Sequence, residues 1–355
     1  MRLANKLAPG GLPPSRSAFA GSPLQQITPL PQATQAAFAE PEAPSGASSG
    51  ANPLLVIVGP TATGKTSLAI ALATRLRGEI VSADSRQIYQ GMDIGTAKPT
   101  PAQRALVPHH LLDIVPPDAP YSLAQYQADA QAAIAAIHRR GHLPLLAGGT
   151  GLYIRAVVDN LAIPAVPPQW EMRHALEEQA RTEGAASLYA RLAALDPASA
   201  ARIDPSNVRR VIRALEVCLT TGQPFSAQQG TRPSPYRALL LGLTCERALL
   251  YERADRRVDE MIAAGLVDEV RGLIARGYDP RLPAMTSLGY GEIGAYLRGE
   301  LSLETAVQQI KHHTHSYIRR QYSWFRPDAR IRWLDCTAPD LEKTALTAIE
   351  AWLAV

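Results

Sequence analysis

Cysteine is scarce in this chain. Three residues, Cys218, Cys245 and Cys336, are spread over 355 positions with no Cys-x-x-Cys pair. That spacing excludes a disulfide framework or a zinc knuckle, suits a reducing compartment and leads us to expect three structural thiols. Long apolar runs are also missing: no uninterrupted stretch of about 18 apolar residues occurs, so no membrane span is expected, and nothing resembles a secretory leader. Nor does one sign of charge dominate. With 36 Lys and Arg against 32 Asp and Glu the net charge is +4, so a case for nucleic acid must rest on where the basic residues sit.

The first 52 residues are rich in Pro, Ala, Ser and Gln, show no periodic apolar face and read as disordered. Arg2, Lys6 and Arg16 precede the first acidic residue, Glu40, a bias shared with organelle transit peptides. A disordered extension or an upstream start codon is the preferred reading, and a cytoplasmic location is expected.

The most informative segment is Gly59-Pro60-Thr61-Ala62-Thr63-Gly64-Lys65-Thr66. It fits the Gly-x-x-x-x-Gly-Lys-Thr spacing that wraps backbone N–H groups around phosphate oxygens. The β-prone run Leu54 to Val58 enters it and the helix-forming run Ser67 to Ala73 leaves it, the order the motif requires. Lys65 can reach a terminal phosphate oxygen and Thr66 can offer its hydroxyl to Mg²⁺.

Glu79 to Asp84 reads as a second short strand delivering a carboxylate at its carboxyl end, where ligands of open α/β sheets bind. A helix from about Leu123 to Arg140 leads to a third strand, Leu143 to Ala147, which ends in Gly148-Gly149-Thr150-Gly151. This alternation predicts an α/β fold, a P-loop doubly wound parallel sheet. The Pro-rich stretch 163–168 breaks the pattern, and 161–235 reads as an inserted all-helical domain between two core segments, 53–160 and 236–355. A strand at Ala238 to Leu243 resumes the sheet. One long amphipathic helix is then predicted through Val258, Met261, Ile262, Leu266, Val270, Leu273 and Ile274, stopping at Gly277.

The last long helix, about 302–325, carries two stripes. Leu303, Val307, Ile310, Thr314, Tyr317, Gln321 and Trp324 are expected to face the core. Lys311, His315, Arg319 and Arg326, joined by Arg320, Arg330 and Arg332, form a basic face opposed locally only by Asp328. Either solvent or phosphates would satisfy such a face.

The usual companions of the phosphate loop are missing. No apolar strand ends in a Walker-B Asp, and no Asn-Lys-x-Asp guanine reader occurs. NTP hydrolysis is thus poorly supported, whereas a diphosphate leaving group would suit the loop equally well. His109 and His110 have no third ligand at suitable spacing and read as packing or loop hydrogen bonds.

The chain resembles the tRNA dimethylallyltransferase (isopentenyltransferase) family, bacterial type. The resemblance runs through Gly59–Thr66, Asp84-Ser85-Arg86-Gln87-Ile88-Tyr89, Met92 to Pro99 and His109 to Ile114. It continues through Gly148 to Tyr153, Arg209-Arg210-Val211-Ile212-Arg213-Ala214-Leu215-Glu216, Gly289-Tyr290 and Arg320-Gln321-Tyr322-Ser323-Trp324-Phe325-Arg326, in the family's order from about 53 to 335.

The resemblance implies transfer of a dimethylallyl group from dimethylallyl diphosphate to N6 of the adenosine following the tRNA anticodon. It assigns diphosphate handling to the loop, Thr61 and Arg247, with Mg²⁺ at Thr66, and makes Asp84 the base that takes the N6 proton. RNA contacts are implied for Asp84, Ser85, Arg86, Gln87 and Thr150, for Arg173, Arg209, Arg210, Val211, Ile212 and Arg213 in the insertion, which would clamp the anticodon stem-loop, and for Gly289, Tyr290, Arg319, Arg320, Gln321 and Arg326. Gly291 and His315-Ser316 depart from the family pattern. A monomer is the default. Competing readings are an adenylate isopentenyltransferase acting on free AMP, a P-loop module binding nucleotide and RNA without chemistry, and a small-molecule kinase.

Overall fold

The computed structural model describes residues 52–354, so the extension read as disordered lies outside the described residues except for Asn52. The core begins with β1 (Asn52–Val58), α1 (Lys65–Leu76), β2 (Gly78–Ser82), α2 (Pro101–Leu106), β3 (His109–His110), α3 (Leu123–Arg139), β4 (Leu143–Ala147) and α4 (Gly151–Val158). Strand β5 (Leu161–Ala162) opens a helical segment of α5 (Trp170–Glu183), α6 (Ala185–Leu195), α7 (Pro197–Ala200) and α8 (Val208–Thr221), and β6 (Gly230–Thr231) closes it by pairing antiparallel with β5. The chain then runs through β7 (Tyr236–Thr244), α9 (Arg247–Ala263), α10 (Leu266–Ala275), α11 (Tyr290–Leu297), α12 (Leu303–Phe325), β8 (Ile331–Asp335) and α13 (Leu341–Leu353).

Six strands form one parallel sheet in the order β3-β2-β4-β1-β7-β8. Every side chain from Leu54 to Val58 is fully buried, because helices cover both faces, as continuous apolar strands of parallel sheets require. Leu54, Val56 and Val58 pack with Tyr126, Ile134 and Ile154 of α3 and α4, while Leu55 and Ile57 pack with Leu68 and Leu72 of α1 and Ile349 of α13. Burial of each such side chain contributes about 1.5–3 kcal/mol. The predicted doubly wound α/β architecture is the one observed.

Three details lie outside the sequence reading or differ from it. Strand β4 lies between β1 and β2, so Asp84 reaches the phosphate loop across the Gly-Gly-Thr-Gly turn. The single long amphipathic helix is two: Gly265, at φ 99°, turns the chain between α9 and α10, a conformation with little cost only for glycine. Residues 331–335, which include Arg332 of the basic face, form β8 beside β7 at the edge of the sheet.

The helical segment has its own core of Leu176, Leu188, Leu192, Val211, Ile212 and Leu215. Val211 and Ile212 are therefore buried and hold α8 in place; as side chains they are not available to RNA, contrary to the expectation.

Candidate active site

The loop 59–66 connects β1 to α1 at the carboxyl edge of the sheet. Gly59 sits at φ 135°, and a Cβ there would come within 2.5 Å of the Leu243 carbonyl oxygen, so no other residue fits the close approach to β7. Helix α1 starts at Gly64 without a side-chain cap, leaving its first amides to an anion. Within the loop, Thr63 donates its hydroxyl to Pro60 O at 2.8 Å and Lys65 donates its ammonium to the same oxygen at 2.6 Å. As a residue Lys65 is only partly covered, yet its ammonium lies within the protein, and burial followed by the charge of Arg257 lowers its pKa from 10.5 to about 7.

The loop is clasped from behind. Gln321 on α12 accepts the Thr61 N–H at 2.9 Å and donates to Gly149 O at 3.1 Å, tying the phosphate loop to the turn after β4. A Cβ on Gly149 would stand 2.2 Å from the Gln321 amide nitrogen, which explains one glycine of that turn by packing. Gln321 is buried and fully engaged, so the structure makes it a brace for the loop; the RNA contact implied by the resemblance does not fit a side chain so placed.

Asp84 follows β2, and its Oδ1 accepts the Arg86 N–H at 2.9 Å, an Asx turn that aims the carboxylate. Among the described residues no hydrogen bond engages its other oxygen. Thr150 accepts the Ser85 N–H at 3.0 Å and donates to the Ser85 hydroxyl at 3.3 Å. Burial, and then the negative charge of Asp84, push the Tyr317 phenol up.

These parts open onto one cavity of about 330 Å³. Its polar end carries Thr61, Ala62, Asp84, Ser85, Arg86, Arg257 and Arg320; its apolar walls are Ala254, Val258, Met261, Leu288 and Ile310; Gly95, Thr96, Thr286, Ser287, Gly289, Thr314 and Tyr317 complete it. Arg257 is the residue the sequence reading missed. It donates to the Thr61 hydroxyl at 3.4 Å, a weak contact, and has no carboxylate in salt-bridge reach among the described residues. A signal existed: on α9, Arg257 falls three residues after Ala254 and four before Met261, a guanidinium inside an apolar stripe. Arg247, the expected diphosphate ligand, is exposed at the first turn of α9 and does not line the cavity.

Other implied contacts are placed elsewhere. Gln87 donates to the carbonyls of Thr96 and Ala97 and accepts from Ser82, so its amide holds a loop. Tyr290 is buried with its hydroxyl on Glu269 at 2.5 Å, and that carboxylate also accepts the N–H groups of Asp93, Ile94 and Gly95. Glu269 thereby shapes the cavity's 93–96 wall, and Tyr290 supports it from behind rather than meeting a ligand.

Arg173 and Arg213 both end on Glu216, whose carboxylate is fully buried. Arg209 and Arg210 are exposed on α8. On the α12 face Lys311 pairs with Asp259 and His315 with Asp255, and Arg330 pairs with Asp159 and Asp328, so acids from α9 and α4's end oppose more of this face than the local sequence shows. Arg319, Arg320 and Arg326 have no carboxylate partner among the described residues; Arg320 and Arg326 lie over the rings of Tyr317 and Tyr322. Trp324, expected in the core, is 43% exposed and lies against Gly151. His110 bonds to the buried Glu79 at 2.6 Å and His109 to the Val107 carbonyl.

A phosphate loop, a carboxylate and an unpaired guanidinium facing one half-apolar cavity at the carboxyl edge of a parallel sheet define a P-loop α/β protein that binds a phosphorylated ligand with an apolar part. The family follows from comparison. The chain belongs to the IPP transferase family, whose model matches residues 87–328, and an isopentenyl transferase model matches 52–107. It is 54% identical over 301 residues to a tRNA dimethylallyltransferase of Roseiflexus sp. (strain RS-1), covering 85% of this chain and 99% of that one. It is 52% identical over 285 residues to another from Geobacter metallireducens, covering 79% and 92%. Among solved structures, a tRNA isopentenylpyrophosphate transferase from Bacillus halodurans is similar at TM-score 0.64 and 42% identity, over 85% of this chain and 96% of that one. A eukaryotic dimethylallyltransferase acting on tRNA is similar at TM-score 0.73 and 26% identity, over 85% and 80%.

Proposed function

We propose that this protein transfers the dimethylallyl group of dimethylallyl diphosphate to N6 of the adenosine that follows the anticodon of tRNA, giving N6-dimethylallyladenosine. The observation that carries the reading is the shared cavity, in which Thr61 and Ala62 of the phosphate loop meet Asp84, Arg257 and an apolar wall. The names of the relatives point the same way.

The loop amides, Lys65 and Arg257 bind the diphosphate. Val258, Met261 and Ile310 receive the five-carbon chain, which keeps water from the electrophilic carbon. As the C–O bond to diphosphate breaks, negative charge grows on the leaving oxygens, where Arg257 and protonated Lys65 stabilise it most. The N6 amine forms the new C–N bond and loses a proton, and the free oxygen of Asp84 accepts it. Diphosphate and prenylated adenosine are the products.

The donor set fits Mg²⁺, which is commonly held by one or two protein oxygens plus substrate phosphates and water. The Thr66 hydroxyl has no protein partner among the described residues and is the group that would hold it. Bound there, the ion would offset charge on the diphosphate.

Reaching N6 requires the base to leave its stack, at a cost of a few kcal/mol. Ser85, Arg86 and Arg320 line the polar end of the cavity and would receive it. Arg209, Arg210, Arg319 and Arg326, free of carboxylates, would meet phosphates of the anticodon stem-loop. We assign a cytoplasmic location and a monomer; among the described residues no helix is long and apolar enough to cross a membrane.

The test is incubation with Mg²⁺ and dimethylallyl diphosphate, offering unmodified tRNA or AMP, followed by nucleoside analysis. N6-dimethylallyladenosine in tRNA is expected. Product on AMP alone would establish the free-nucleotide reading, and no product on either would leave a binding module or a kinase.

A further inference from the structure

Strands β7 and β8 pair in parallel, with Leu240 opposite Ile331 and each following pair in step to Thr244 opposite Asp335. One rung further, Cys245 stands opposite Cys336, and the Cys336 N–H donates to Thr244 O at 2.7 Å, so the ladder reaches this rung. Neighbouring strands run about 4.7–4.9 Å apart, inside the roughly 4.4–6.8 Å that a disulfide spans between Cα atoms. Cys336 packs on the face shared by Leu243 and Leu334, and Cys245, the first residue past β7, packs with Leu250 and Ala62. A separation of 91 positions (336 − 245) hid this pair from any reading of cysteine spacing.

The surroundings favour chemistry over inert packing. Both thiols are free and partly exposed, unlike the buried Cys218. Arg253 donates to Cys336 Sγ at 3.2 Å, the electropositive setting typical of reactive thiols. Burial and then the adjacent Cys336 push the Cys245 thiol up to about 12. The pair also touches the phosphate loop, because Cys245 packs in the same cluster as Ala62.

We propose that Cys245 and Cys336 are a peroxide-reactive dithiol, and that their oxidation to a disulfide weakens diphosphate binding in the adjacent loop. Cys336 sulfur attacks one peroxide oxygen, the O–O bond breaks, and one water leaves behind a sulfenic acid. The Cys245 thiol then attacks that sulfur, loses its proton and expels the second water. Two electrons pass from the sulfurs to peroxide, and two thiols and one hydrogen peroxide yield one disulfide and two waters. The link pulls Cys245 from its packing with Ala62 and so disturbs the phosphate loop.

The consequence rests on reading 59–66 as a diphosphate cradle, so the experiment reports on each separately. Full-length protein, reduced with dithiothreitol and then treated with hydrogen peroxide, is mapped by non-reducing peptide mass spectrometry and titrated calorimetrically with inorganic diphosphate and Mg²⁺. A Cys245–Cys336 linked peptide is expected, with Cys218 still alkylatable and Kd raised about tenfold, an amount worth ~1.4 kcal/mol; dithiothreitol should reverse both. Cys245→Ser and Cys336→Ser should each abolish the shift while transferring prenyl groups normally under reductant. Oxidation of Cys336 to sulfinic acid without the link, or a link that leaves Kd unchanged, overturns the proposal. If the reduced protein fails to bind diphosphate, the cradle reading fails and the consequence with it, while the peptide map still decides the pairing.

Discussion

At the cavity, Arg257 has only a 3.4 Å contact to the Thr61 hydroxyl and no carboxylate among the described residues, whereas in the helical segment Arg173 and Arg213 converge on the buried Glu216. The same residue type is left without a counter-ion in one region and neutralised in the other. An arginine facing a cavity with no counter-ion carries an electrostatic debt that an anionic ligand removes. Arginines that share a buried glutamate are already satisfied, and the Arg173 pair ties α5 to α8. Position in a basic cluster therefore does not separate ligand handles from structural ties; the partner carboxylate does.

The largest expected effect lies on the cavity side. Asp84→Asn preserves the Asx turn but removes the basic oxygen, and turnover on tRNA should fall by about 10²–10⁴-fold with tRNA affinity kept. Single-turnover kinetics beside a filter-binding assay separates the two, and near-normal turnover would remove Asp84 as the base. Arg257→Ala should lower kcat/KM by about 10²–10³-fold, while Arg247→Ala, exposed and outside the cavity, should stay within about threefold of wild type. Equal losses in the two variants would return diphosphate handling to Arg247 and break the comparison.

How legible this was in the sequence follows from the same contrast. The phosphate loop, the parallel sheet and Asp84 are contiguous motifs whose geometry is local, so spacing and periodicity reveal them. Arg257 required noticing a charge within an apolar stripe, and its value depends on which strand end it meets. Arg173 and Gln321 were given RNA contacts by the resemblance, yet their partners, Glu216 and Thr61, lie 43 and 260 residues away. The order of β1, β4 and β2 was equally invisible, because strands of similar composition differ only in which neighbour they pair with.

The helical segment should respond in stability before it responds in binding. Glu216→Ala would strand Arg173 and Arg213 beside an emptied site and leave the Gln169 N–H, now donating to Glu216 at 2.7 Å, without its acceptor. Breaking such a buried pair costs about 3–5 kcal/mol, to be read from denaturant midpoints. Arg173→Ala should likewise shift the midpoint, by a smaller amount, and any loss of tRNA affinity should scale with unfolding. A full loss of tRNA affinity at an unchanged midpoint would show that Arg173 meets RNA directly, and would merge the two classes of arginine.

The smallest effect tests the lysine of the phosphate loop. Lys65 titrates near 7 because burial and Arg257 disfavour its charge, with Asp84 and Cys336 acting the other way. A bound diphosphate supplies negative charge and raises that pKa, so binding takes up a proton, and affinity should fall as pH rises above about 7, by at most about tenfold per pH unit. Calorimetry in buffers of different ionisation enthalpy measures the uptake directly. The unliganded protein should show the opposite trend. Between about 7 and 10.5 the unfolded chain holds the Lys65 proton that the folded chain has lost, so this residue's contribution to stability grows with pH across that window. Lys65→Met should flatten both profiles. If binding kept its pH dependence in that variant, the proton would belong to another group, and the desolvated lysine would not be what readies this cavity for an anion.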